Sequence, residues 1–345
     1  MNYFNHFAKA IYHRLPFPSV VKEKLKSSVF SLIPSWVPPK PIEPPPPPPP
    51  PQLLDRKSKL LIRIPAVTDK DGLEIGPLYR PTISKIESNG RIQYVDVFTA
   101  ETLRELNKNN PDIPDLSLIV ETDLIWGEKT LPELAGGKQY DYVIASHIIE
   151  HVPNMLGWLK EIGEVVRDNG ILSLAIPDKR YTFDLLRDLS TPGMLIEAYL
   201  IHRRKPGPRE VFDFAFGART VDVVSAWEGT LDKTTLPHFT DLQGAFDIAK
   251  FCLENYKDVH VNVFTPASFL DLVEIASRLE LVDFTIVYFS ETARNTGEFF
   301  VSMERVPRSL NQPEILALQL EGLERARMCL ASTTESSSIM GNNSV

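Results

Sequence analysis

The segment His147-Ile148-Ile149-Glu150-His151 brings two imidazoles and a carboxylate into five consecutive residues. On a helix the two histidines would share one face and could bind zinc, with Glu150 as the base of a metal-assisted hydrolysis. Two observations weaken that interpretation, because the segment directly follows an apolar run and Pro153 interrupts a helix two residues later. No third ligand is recognisable in the sequence. We therefore predict no metal site, and a structural role for either histidine stays open.

Acidic residues also occur where apolar runs end, and their positions favour a different chemistry. Glu74 and Gly76 lie at the end of the first such run, but neither the G-x-G-x-x-G pattern nor the P-loop pattern is present. Asp96 closes the second run about 20 residues later, where a carboxylate can accept hydrogen bonds from both hydroxyls of a ribose. These features favour a nucleoside ligand without a pyrophosphate. A simple turn is the alternative explanation for each residue taken alone.

Short apolar runs and longer helical patterns alternate through the middle of the chain, which is typical of an α/β fold. The sheet is predicted to be mostly parallel, because its strands are almost continuously apolar and are separated by helical segments. A helix within 154–170 is predicted to end at Asp168-Asn169-Gly170. The predicted strands up to this point are 72–76, 92–98, part of 116–125, 140–147 and 171–178.

Two further apolar runs, 282–289 and 297–304, are predicted to pair with each other. They follow a helix predicted to start with Thr265 as N-cap and Pro266 at the first helical position. The connection between the runs, ETARNT, is too short for a parallel crossover. We therefore predict an antiparallel pair at the end of an otherwise parallel sheet.

The two ends of the chain differ from this middle part. Residues 1–40 contain six Lys or Arg and one Glu, with apolar residues at helical spacing. We predict an amphipathic helical arm over 1–38 that rests on an anionic membrane surface or on a partner protein, with a weakly ordered arm as the alternative. The linker 39–51 contains eight consecutive prolines and is predicted to be a stiff polyproline II spacer. Residues 306–345 are predicted to form a helix and a disordered tail.

Composition narrows the class of protein. With 345 residues, 43% hydrophobic and 24% charged, the chain is typical of a globular protein. The net charge of −8 disfavours general nucleic-acid binding through a basic surface. Cys252 and Cys329 are the only cysteines, so a disulfide framework is excluded and a reducing cytoplasm is the expected compartment. Neither a membrane-spanning run nor an export signal is recognisable, so export is not expected.

Several segments, taken in order over about residues 69–305, resemble class I S-adenosylmethionine-dependent methyltransferases. They are LEIGPLYRP, YVDV, ETDLIWGEKTL, YDYVIASHIIEHVPNMLGWLKEIGEVVRDNGILSLAIPDKRYTFD and VHVNVFTPASFLDLVEIASRLELVDFTI. More narrowly, the chain is similar to bacterial methyltransferases found alongside glycosyltransferases of surface-polysaccharide assembly. The resemblance implies a Rossmann-like sheet, mostly parallel with its last strand antiparallel, in a domain over 52–305. Within it, residues 181–258 are expected to form a helical insertion on the acceptor side.

The resemblance also implies S-adenosyl-L-methionine as the cofactor and assigns residues to it. The assigned residues are Glu74 and Gly76 at the methionine part, Asp96 at the ribose, Asp123 with Leu124 at the adenine amino group, and Ser146 with His147 beside the cofactor.

Methyl transfer to a hydroxyl group benefits from a base within hydrogen-bond reach. The candidates are Asp178 after the fifth predicted strand, His147, and His238, with His260 as a fourth. Aromatic rings of the 181–258 insertion could stack on sugar faces, although they could equally form the core of the insertion. The basic residues expected to hold a phosphate or carboxylate are Arg180, Arg203, Arg204 and Lys205.

We therefore predict a methyltransferase that O-methylates a sugar or polysaccharide intermediate at the cytoplasmic face of the membrane. A methyltransferase of another small molecule, such as a lipid or quinone precursor, is the first alternative. The second is a catalytically inactive scaffold of a polysaccharide assembly complex. The expected partners are a small-molecule or glycan acceptor and no nucleic acid, with a peripheral membrane or glycosyltransferase contact through residues 1–38.

Overall fold

A single sheet organises the part of the chain that the computed structural model describes, which is residues 54–64, 66–127 and 129–341, with side chains up to residue 332. The predicted arm 1–38 and linker 39–51 lie outside these residues. The strands follow the order β3-β2-β1-β4-β5-β7-β6 across the sheet. In chain order they are β1 (Gly72–Ile75), β2 (Ile92–Asp96), β3 (Leu124–Ile125), β4 (Tyr140–Ser146), β5 (Val166–Pro177), β6 (Phe284–Ser290) and β7 (Glu298–Arg305).

Strand direction is reversed only in β7. The pairs β1–β2, β1–β4, β2–β3 and β4–β5 are parallel. In contrast, β7 is antiparallel to both β5 and β6, as the short connection between the last two runs predicts. Pro177 at the end of β5 lies opposite Glu298 at the start of β7. The start of β7 therefore lies at the edge formed by the carboxyl ends of the parallel strands, where ligands of such sheets bind. The predicted Rossmann-like, mostly parallel fold is confirmed.

Helices flank the sheet and make up much of the segment between β5 and β6. They are α1 (Arg56–Leu61), α2 (Ala100–Leu106), α3 (Leu131–Ala135), α4 (Met155–Val165), α5 (Pro192–Leu200), α6 (Pro208–Gly217), α7 (Val223–Glu228), α8 (Leu242–Phe251), α9 (Pro266–Arg278) and α10 (Gln312–Gly341). The start of α9 is as predicted, because Thr265 Oγ1 accepts a hydrogen bond from Ser268 N at 3.2 Å. Within the described ranges, no helix combines the length and apolar character needed to cross a membrane.

Two hydrophobic clusters hold the sheet in place from opposite sides. The larger cluster packs β-strand residues against α4 and α9, and its fully buried members include Val143, Leu172, Phe299, Ile162 and Phe269. The smaller one contains Ile144 and Phe300 together with Leu60 of α1. Neighbouring residues such as Val143 and Ile144 belong to different clusters because successive strand residues face opposite sides of the sheet. Burying each such side chain contributes about 1.5–3 kcal/mol to the stability of the folded state. Packing on both faces therefore holds the strands, and with them the residues at their ends, in place.

The third strand lies within the range predicted for it, whereas the start of the fifth differs from the sequence-based prediction. The third strand comprises only Leu124–Ile125, because Leu116–Leu118 form a 3₁₀ turn capped by the side chain of Asp115. The fifth strand begins directly after α4, so Asp168-Asn169-Gly170 lies within β5 and does not end the helix. Asn169 has a φ of 63°, and the pairing of β4 with β5 is irregular in this region. A local bulge therefore replaces the predicted helix cap.

The C-terminal tail also differs from its prediction. Helix α10 continues to Gly341, through most of the segment predicted to be disordered. Its first part packs against the sheet, where Leu323 and Ala326 belong to the larger core cluster. Extending an existing helix costs less than nucleating one, which is a physical reason for its length.

Candidate active site

Glu74 lies in β1 and is directed into the protein. Its Oε1 accepts a hydrogen bond from Thr82 N at 2.6 Å and its Oε2 accepts one from Ile83 N at 3.3 Å. Burial raises the pKa of Glu74, and these backbone amides oppose that rise. The bonded segment, 76–91, consists of turns and contains no helix. Glu74 therefore shapes the loop after β1, and both of its oxygens are engaged in doing so.

Gly76 and Asp96 lie side by side at the carboxyl edge of the sheet. Gly76 N donates to Val95 O at 2.9 Å, which places the Gly76 backbone beside the end of β2. The φ of Gly76 is +61°, and a Cβ atom there would lie 2.5 Å from Ile148 Cδ1, so a larger residue is excluded. Asp96 ends β2, and its Oδ1 accepts a long hydrogen bond of 3.4 Å from Phe98 N. Burial raises the pKa of this half-buried carboxyl, in spite of the amides nearby.

Asp123 directly precedes β3 and so lies at the start of this strand, not at its carboxyl end. Its Oδ2 accepts hydrogen bonds from Tyr94 N at 2.6 Å and from Lys85 Nζ at 2.5 Å. Tyr94 is the middle residue of β2, so the carboxylate lies alongside the sheet. Leu124 packs against the core. Because β3 is so short and starts after Asp123, Trp126 is the residue that follows its carboxyl end.

Ser146 ends β4, and His147 follows it with a left-handed φ of 55°. Arg56 of α1 connects this turn to β7, because Nη2 donates to Ser146 Oγ at 2.5 Å and Nε donates to Glu298 Oε1 at 2.8 Å. His147 Nε2 lies 2.8 Å from Glu298 Oε2. The sequence analysis missed Arg56 and Glu298. Glu298 could have been found from the predicted antiparallel strand, whose start must lie at this edge, whereas no pattern indicates Arg56.

His147 lies between two carboxylates. Besides its contact with Glu298, its Nδ1 is 3.4 Å from Glu150 Oε1. Burial alone would lower the pKa of His147, but the hydrogen bonds and charges of Glu150 and Glu298 outweigh burial and raise the pKa to about 9. The surroundings therefore favour positive charge at this point. The role of His147 as a base stays a prediction.

Asp178 is completely buried, and its carboxylate is fully engaged. Its Oδ2 accepts hydrogen bonds from Arg180 Nη2 and from Thr292 Oγ1, both at 2.7 Å. Its Oδ1 accepts one from Arg180 N at 3.0 Å and so caps the 3₁₀ turn Lys179–Tyr181. Both oxygens thus accept hydrogen bonds from a guanidinium, an amide and a hydroxyl of the protein, and the role of Asp178 as the base stays a prediction. These contacts fix the turn after β5.

The two histidines predicted near the acceptor have different environments. His238 is exposed, pairs through its backbone with Arg219, and has its ring 5.6 Å from that of Phe216. His260 is buried, and its Nδ1 lies 2.6 Å from Asp184 Oδ2. Of the two, His260 is the one that the structure brings to the cavity described next.

A cavity of about 580 Å³ opens at the edge formed by β4, β5 and the start of β7. This volume is in the usual range for a small-molecule site. The ring of Tyr181 stacks on that of Trp227 with 3.9 Å between centroids, and Trp227 Nε1 donates to Thr296 O at 2.8 Å. The wall combines aromatic, polar and titratable side chains, including His147, Tyr181, Phe183, Arg219, Phe239, His260 and Glu298.

The basic residues predicted to hold an anion are instead engaged within the protein. Arg180 pairs with Asp178 and Glu291, and Arg203 pairs with Glu210. The side chain of Arg204 is 3.6 Å from Glu161, and Lys205 Nζ donates to Leu253 O at 3.0 Å. The arginines at the cavity wall are Arg56 and Arg219. An acidic group of an acceptor would therefore meet these two side chains.

Comparison with protein families identifies the class of protein. A family model described as a methyltransferase domain matches residues 53–287. The match covers well over half of the chain, and the chain belongs to this methyltransferase-domain family. Together with the strand order of the sheet, the family match identifies an S-adenosylmethionine-dependent methyltransferase of the class I fold, which confirms the predicted enzyme class and cofactor.

Solved structures of low sequence identity resemble the chain. A Listeria monocytogenes protein assigned as an S-adenosylmethionine-dependent methyltransferase is 12% identical over 73% of this chain and 98% of its own, with a TM-score of 0.38. The CcbJ methyltransferase from Streptomyces caelestis is 11% identical over 73% of this chain and 89% of its own, with a TM-score of 0.36. An S-adenosylmethionine-dependent methyltransferase from Mesorhizobium loti is 12% identical over 71% of this chain and 95% of its own, with a TM-score of 0.34. No curated protein matches the sequence.

The geometry at Gly76 and Asp96 fits this cofactor. The half-buried carboxylate of Asp96 would accept hydrogen bonds from ribose hydroxyls, and the backbone of Gly76 passes beside it. When bound, S-adenosylmethionine supplies a methyl group on a positively charged sulfur. The residues that would hold it lie at the ends of β1 and β2, and the cavity at β4, β5 and β7 would be open to an acceptor.

Proposed function

We propose that this methyltransferase transfers the methyl group to a hydroxyl group of a sugar or polysaccharide intermediate. The observation that carries the proposal is the combination of flat aromatic rings and hydrogen-bonding groups in the wall of the cavity. Phe239 is half exposed at the cavity wall and offers a ring face for the apolar face of a sugar, and the stacking of Trp227 on Tyr181 fixes a second ring of the wall.

Polar groups of the same wall can hold the hydroxyl groups and an acidic substituent of such an acceptor. Thr182, Thr220 and Glu298 provide donors and acceptors at the cavity. Arg219 Nη1 donates to Phe216 O at 2.6 Å, which fixes the orientation of its guanidinium. A guanidinium held in this way is suited to a carboxylate or phosphate on the acceptor.

The proposed reaction is an in-line displacement. The acceptor oxygen bonds to the methyl carbon, the bond between carbon and sulfur breaks, and S-adenosylhomocysteine leaves with the electron pair. The hydroxyl proton passes to a group at the cavity wall or to water. Because the leaving sulfur is already positively charged, alignment of the two reactants supplies most of the rate enhancement. Gly76, Asp96 and the cavity lie along one edge of the sheet, which supports such an alignment.

The test is a methyl-transfer assay with the full chain and a panel of acceptors. Free sugars, nucleotide sugars and lipid-linked saccharides are incubated with S-adenosylmethionine, and mass spectrometry detects a gain equal to one methylene group. We expect methylation of a saccharide that Asp96→Ala abolishes. Methylation of lipid or quinone precursors instead would contradict the sugar proposal. Binding of S-adenosylhomocysteine without transfer to any acceptor would support the scaffold.

The membrane or glycosyltransferase contact through residues 1–38 concerns a part of the chain outside the described residues and remains a proposal from the sequence. Co-sedimentation of the full chain with anionic and with zwitterionic liposomes tests the membrane contact. Replacement of Lys22, Lys24 and Lys26 by Glu should abolish a preference for anionic lipid. Equal sedimentation with both lipid types would contradict the membrane contact.

A further inference from the structure

Glu150 is a completely buried carboxylate to which no group of the described residues donates a well-aligned hydrogen bond, although His147 Nδ1 lies 3.4 Å from its Oε1. Its exposure is 0%, and neither Oε1 nor Oε2 has a hydrogen-bond partner. Burying an ionised carboxylate without compensation costs several kcal/mol. Buried carboxylates are therefore normally paired with a cation or coordinate a metal ion. The neighbours of Glu150 decide between these two possibilities.

Nitrogen atoms of histidines surround Glu150 Oε1. The Nε2 atom of His151 is 4.0 Å from Oε1, and that of His260 is 3.9 Å from it. These distances are too long for hydrogen bonds. The ligand atoms of Glu150, His151 and His260 all lie within 4.8 Å of one another. With bonds of ~2.1 Å, ligand atoms around one ion are separated by about 3.0–4.2 Å, so small side-chain movements bring these three into coordination distance.

The outer nitrogen atoms of both rings are held by carboxylates. His151 Nδ1 lies 2.9 Å from Asp258 Oδ1, and His260 Nδ1 lies 2.6 Å from Asp184 Oδ2. Asp184 is fixed in turn by Arg187 Nη1 at 2.6 Å. A ring that donates its Nδ1 proton to a carboxylate presents a lone pair at Nε2. Metal-binding histidines are usually held in this way, and here each Nε2 lies about 4 Å from Glu150 Oε1.

The backbone keeps the two parts of this cluster together. Glu150 O accepts hydrogen bonds from Val261 N at 2.8 Å and from Asn262 N at 2.9 Å. Asn262 Nδ2 donates to Ile149 O at 3.1 Å and to Val152 O at 2.9 Å. These bonds clamp the segment after β4 to the segment that carries His260. The cluster is therefore positioned by rigid backbone contacts.

We propose that Glu150, His151 and His260 bind a divalent first-row transition-metal ion such as zinc(II). Two imidazoles and one carboxylate form the ligand set of several catalytic zinc sites and of non-haem iron sites, in which the remaining coordination positions stay open. His147 and His260 also line the acceptor cavity, so the ion lies against the cavity wall.

This position suggests what the ion does. An acceptor hydroxyl that occupies an open coordination position would have a lowered pKa and would lose its proton to water more readily. That role rests on the proposed function, whereas the metal site itself does not. The experiments below therefore measure metal binding without cofactor or acceptor.

Metal content and cobalt(II) spectra test the site directly. The full chain is purified without a polyhistidine tag, and its metals are quantified by mass spectrometry. It is then stripped with a chelator and titrated with Co²⁺, whose visible d–d absorption reports coordination. We expect one ion per chain in the wild type and loss of the spectrum in Glu150→Gln and His260→Asn. Asp184→Asn should weaken Co²⁺ binding about 10–100-fold, because it removes only the partner of a ligand.

His202→Asn is the matched control. His202 lies outside the cluster and has a left-handed φ of 49°, which asparagine tolerates, so this variant also loses one histidine. It should bind Co²⁺ like the wild type. A wild-type chain that contains no stoichiometric metal and binds Co²⁺ no more tightly than His260→Asn would overturn the proposal.

Thermal unfolding separates a metal site from a purely structural cluster of ions. If Glu150 is a metal ligand, the metal-free Glu150→Gln variant should be at least as stable as the metal-free wild type. The reason is that the substitution removes a buried charge that accepts no well-aligned hydrogen bond. Added Zn²⁺ then raises the melting temperature of the wild type alone. A structural ion cluster predicts the reverse, namely a less stable Glu150→Gln variant and no effect of Zn²⁺, and that result would contradict the proposal.

Discussion

The two halves of the carboxyl edge of the sheet use their carboxylates differently. At β1, β2 and β3, which we call the cofactor half, Glu74 accepts hydrogen bonds from backbone amides, and Asp123 accepts one from Tyr94 N. At β4, β5 and β7, the acceptor half, carboxylates pair with side chains, as Glu298 does with His147. Backbone amides fix the shape of a loop, whereas paired side chains fix the position of charges. The carboxylates of the cofactor half thus fix the path of the backbone, and those of the acceptor half fix the positions of charged side chains.

This difference revises the initial idea of the cofactor site. Three acidic residues, Glu74, Asp96 and Asp123, were expected to surround one ligand. The structure leaves Asp96 at the end of its strand and engages the other two in holding the protein's own chain. Affinity for the cofactor should therefore depend on one carboxylate and on the backbone around Gly76. Changes in the acceptor half should affect stability and chemistry together.

The largest effect is expected from Asp178→Ala in the acceptor half. The substitution leaves Arg180 and Thr292 without their shared partner, and we expect a loss of about 3 kcal/mol in the free energy of unfolding. This is the lower end of the usual range for a broken buried pair, because the side chain of Arg180 is 39% exposed. Urea-induced unfolding measures the loss. If Asp178→Asn lowers kcat far more than Thr292→Val while both remain folded, Asp178 is the base.

Asp96→Ala should give the next largest effect, and it acts on binding. Loss of hydrogen bonds to both ribose hydroxyls should weaken binding of S-adenosylhomocysteine about 100-fold, or ~2.8 kcal/mol. Isothermal titration calorimetry provides the measurement. Asp123→Ala serves as the comparison and should leave the affinity unchanged, because its carboxylate binds Tyr94 and Lys85. Equal losses in both variants would restore the three-carboxylate site.

Tyr181→Leu tests the stacking surface of the acceptor cavity. Removing the ring that stacks on Trp227 should raise the KM for the acceptor about 3–10-fold, corresponding to ~0.7–1.4 kcal/mol of aromatic stacking. Tyr181→Phe keeps the ring and should leave the KM close to that of the wild type. Steady-state kinetics with the identified acceptor separate KM from kcat. An equal rise in both variants would assign the effect to the hydroxyl group instead of the ring.

The smallest effect concerns a surface contact beside the cofactor half. Glu87 pairs with Lys57 and accepts hydrogen bonds from Ser84, and these contacts lower its pKa from 4.5 to about 2. Because the pKa is lower in the folded state, the contribution is complete above pH 4.5 and disappears as the pH falls towards 2. Both side chains are almost half exposed, so Glu87→Gln should cost at most ~1 kcal/mol at neutral pH.

Unfolding of the wild type and of Glu87→Gln across this pH range tests whether the contribution of Glu87 to stability falls on acidification. The difference in the free energy of unfolding should shrink on acidification. A difference that grows as the pH falls would show that the pKa of Glu87 is raised in the folded protein.

Much of the fold could be predicted from the sequence because its signals are local. The apolar runs of β1, β2 and β4 and the N-cap Thr265 depend on residues close together in the chain. The antiparallel pair β6–β7 followed from the length of one connection. The errors occurred where a tertiary contact replaced a local preference, as with the glycine-containing cap after α4, which became a bulge in β5.

Less of the candidate site could be predicted. Strand order is enough to place Gly76, Asp96 and Ser146 at the carboxyl edge, since parallel strands end together. The same rule also suggested Asp178, but it says nothing about the partners of a side chain. The bonds from Arg180 and Thr292 to Asp178, and that from Tyr94 to Asp123, exist only in the folded chain.

The sequence by itself determined the class of fold, because hydrophobic periodicity is a local property of the chain, and its resemblance to known methyltransferases indicated the enzyme class. Only the tertiary structure decided which polar groups are free and which are paired. His260 lies more than 100 residues after Glu150, and the clamp at Asn262 brings the two together. The energy of a buried charge depends on its neighbours in space, and the chain fixes those neighbours only when it folds.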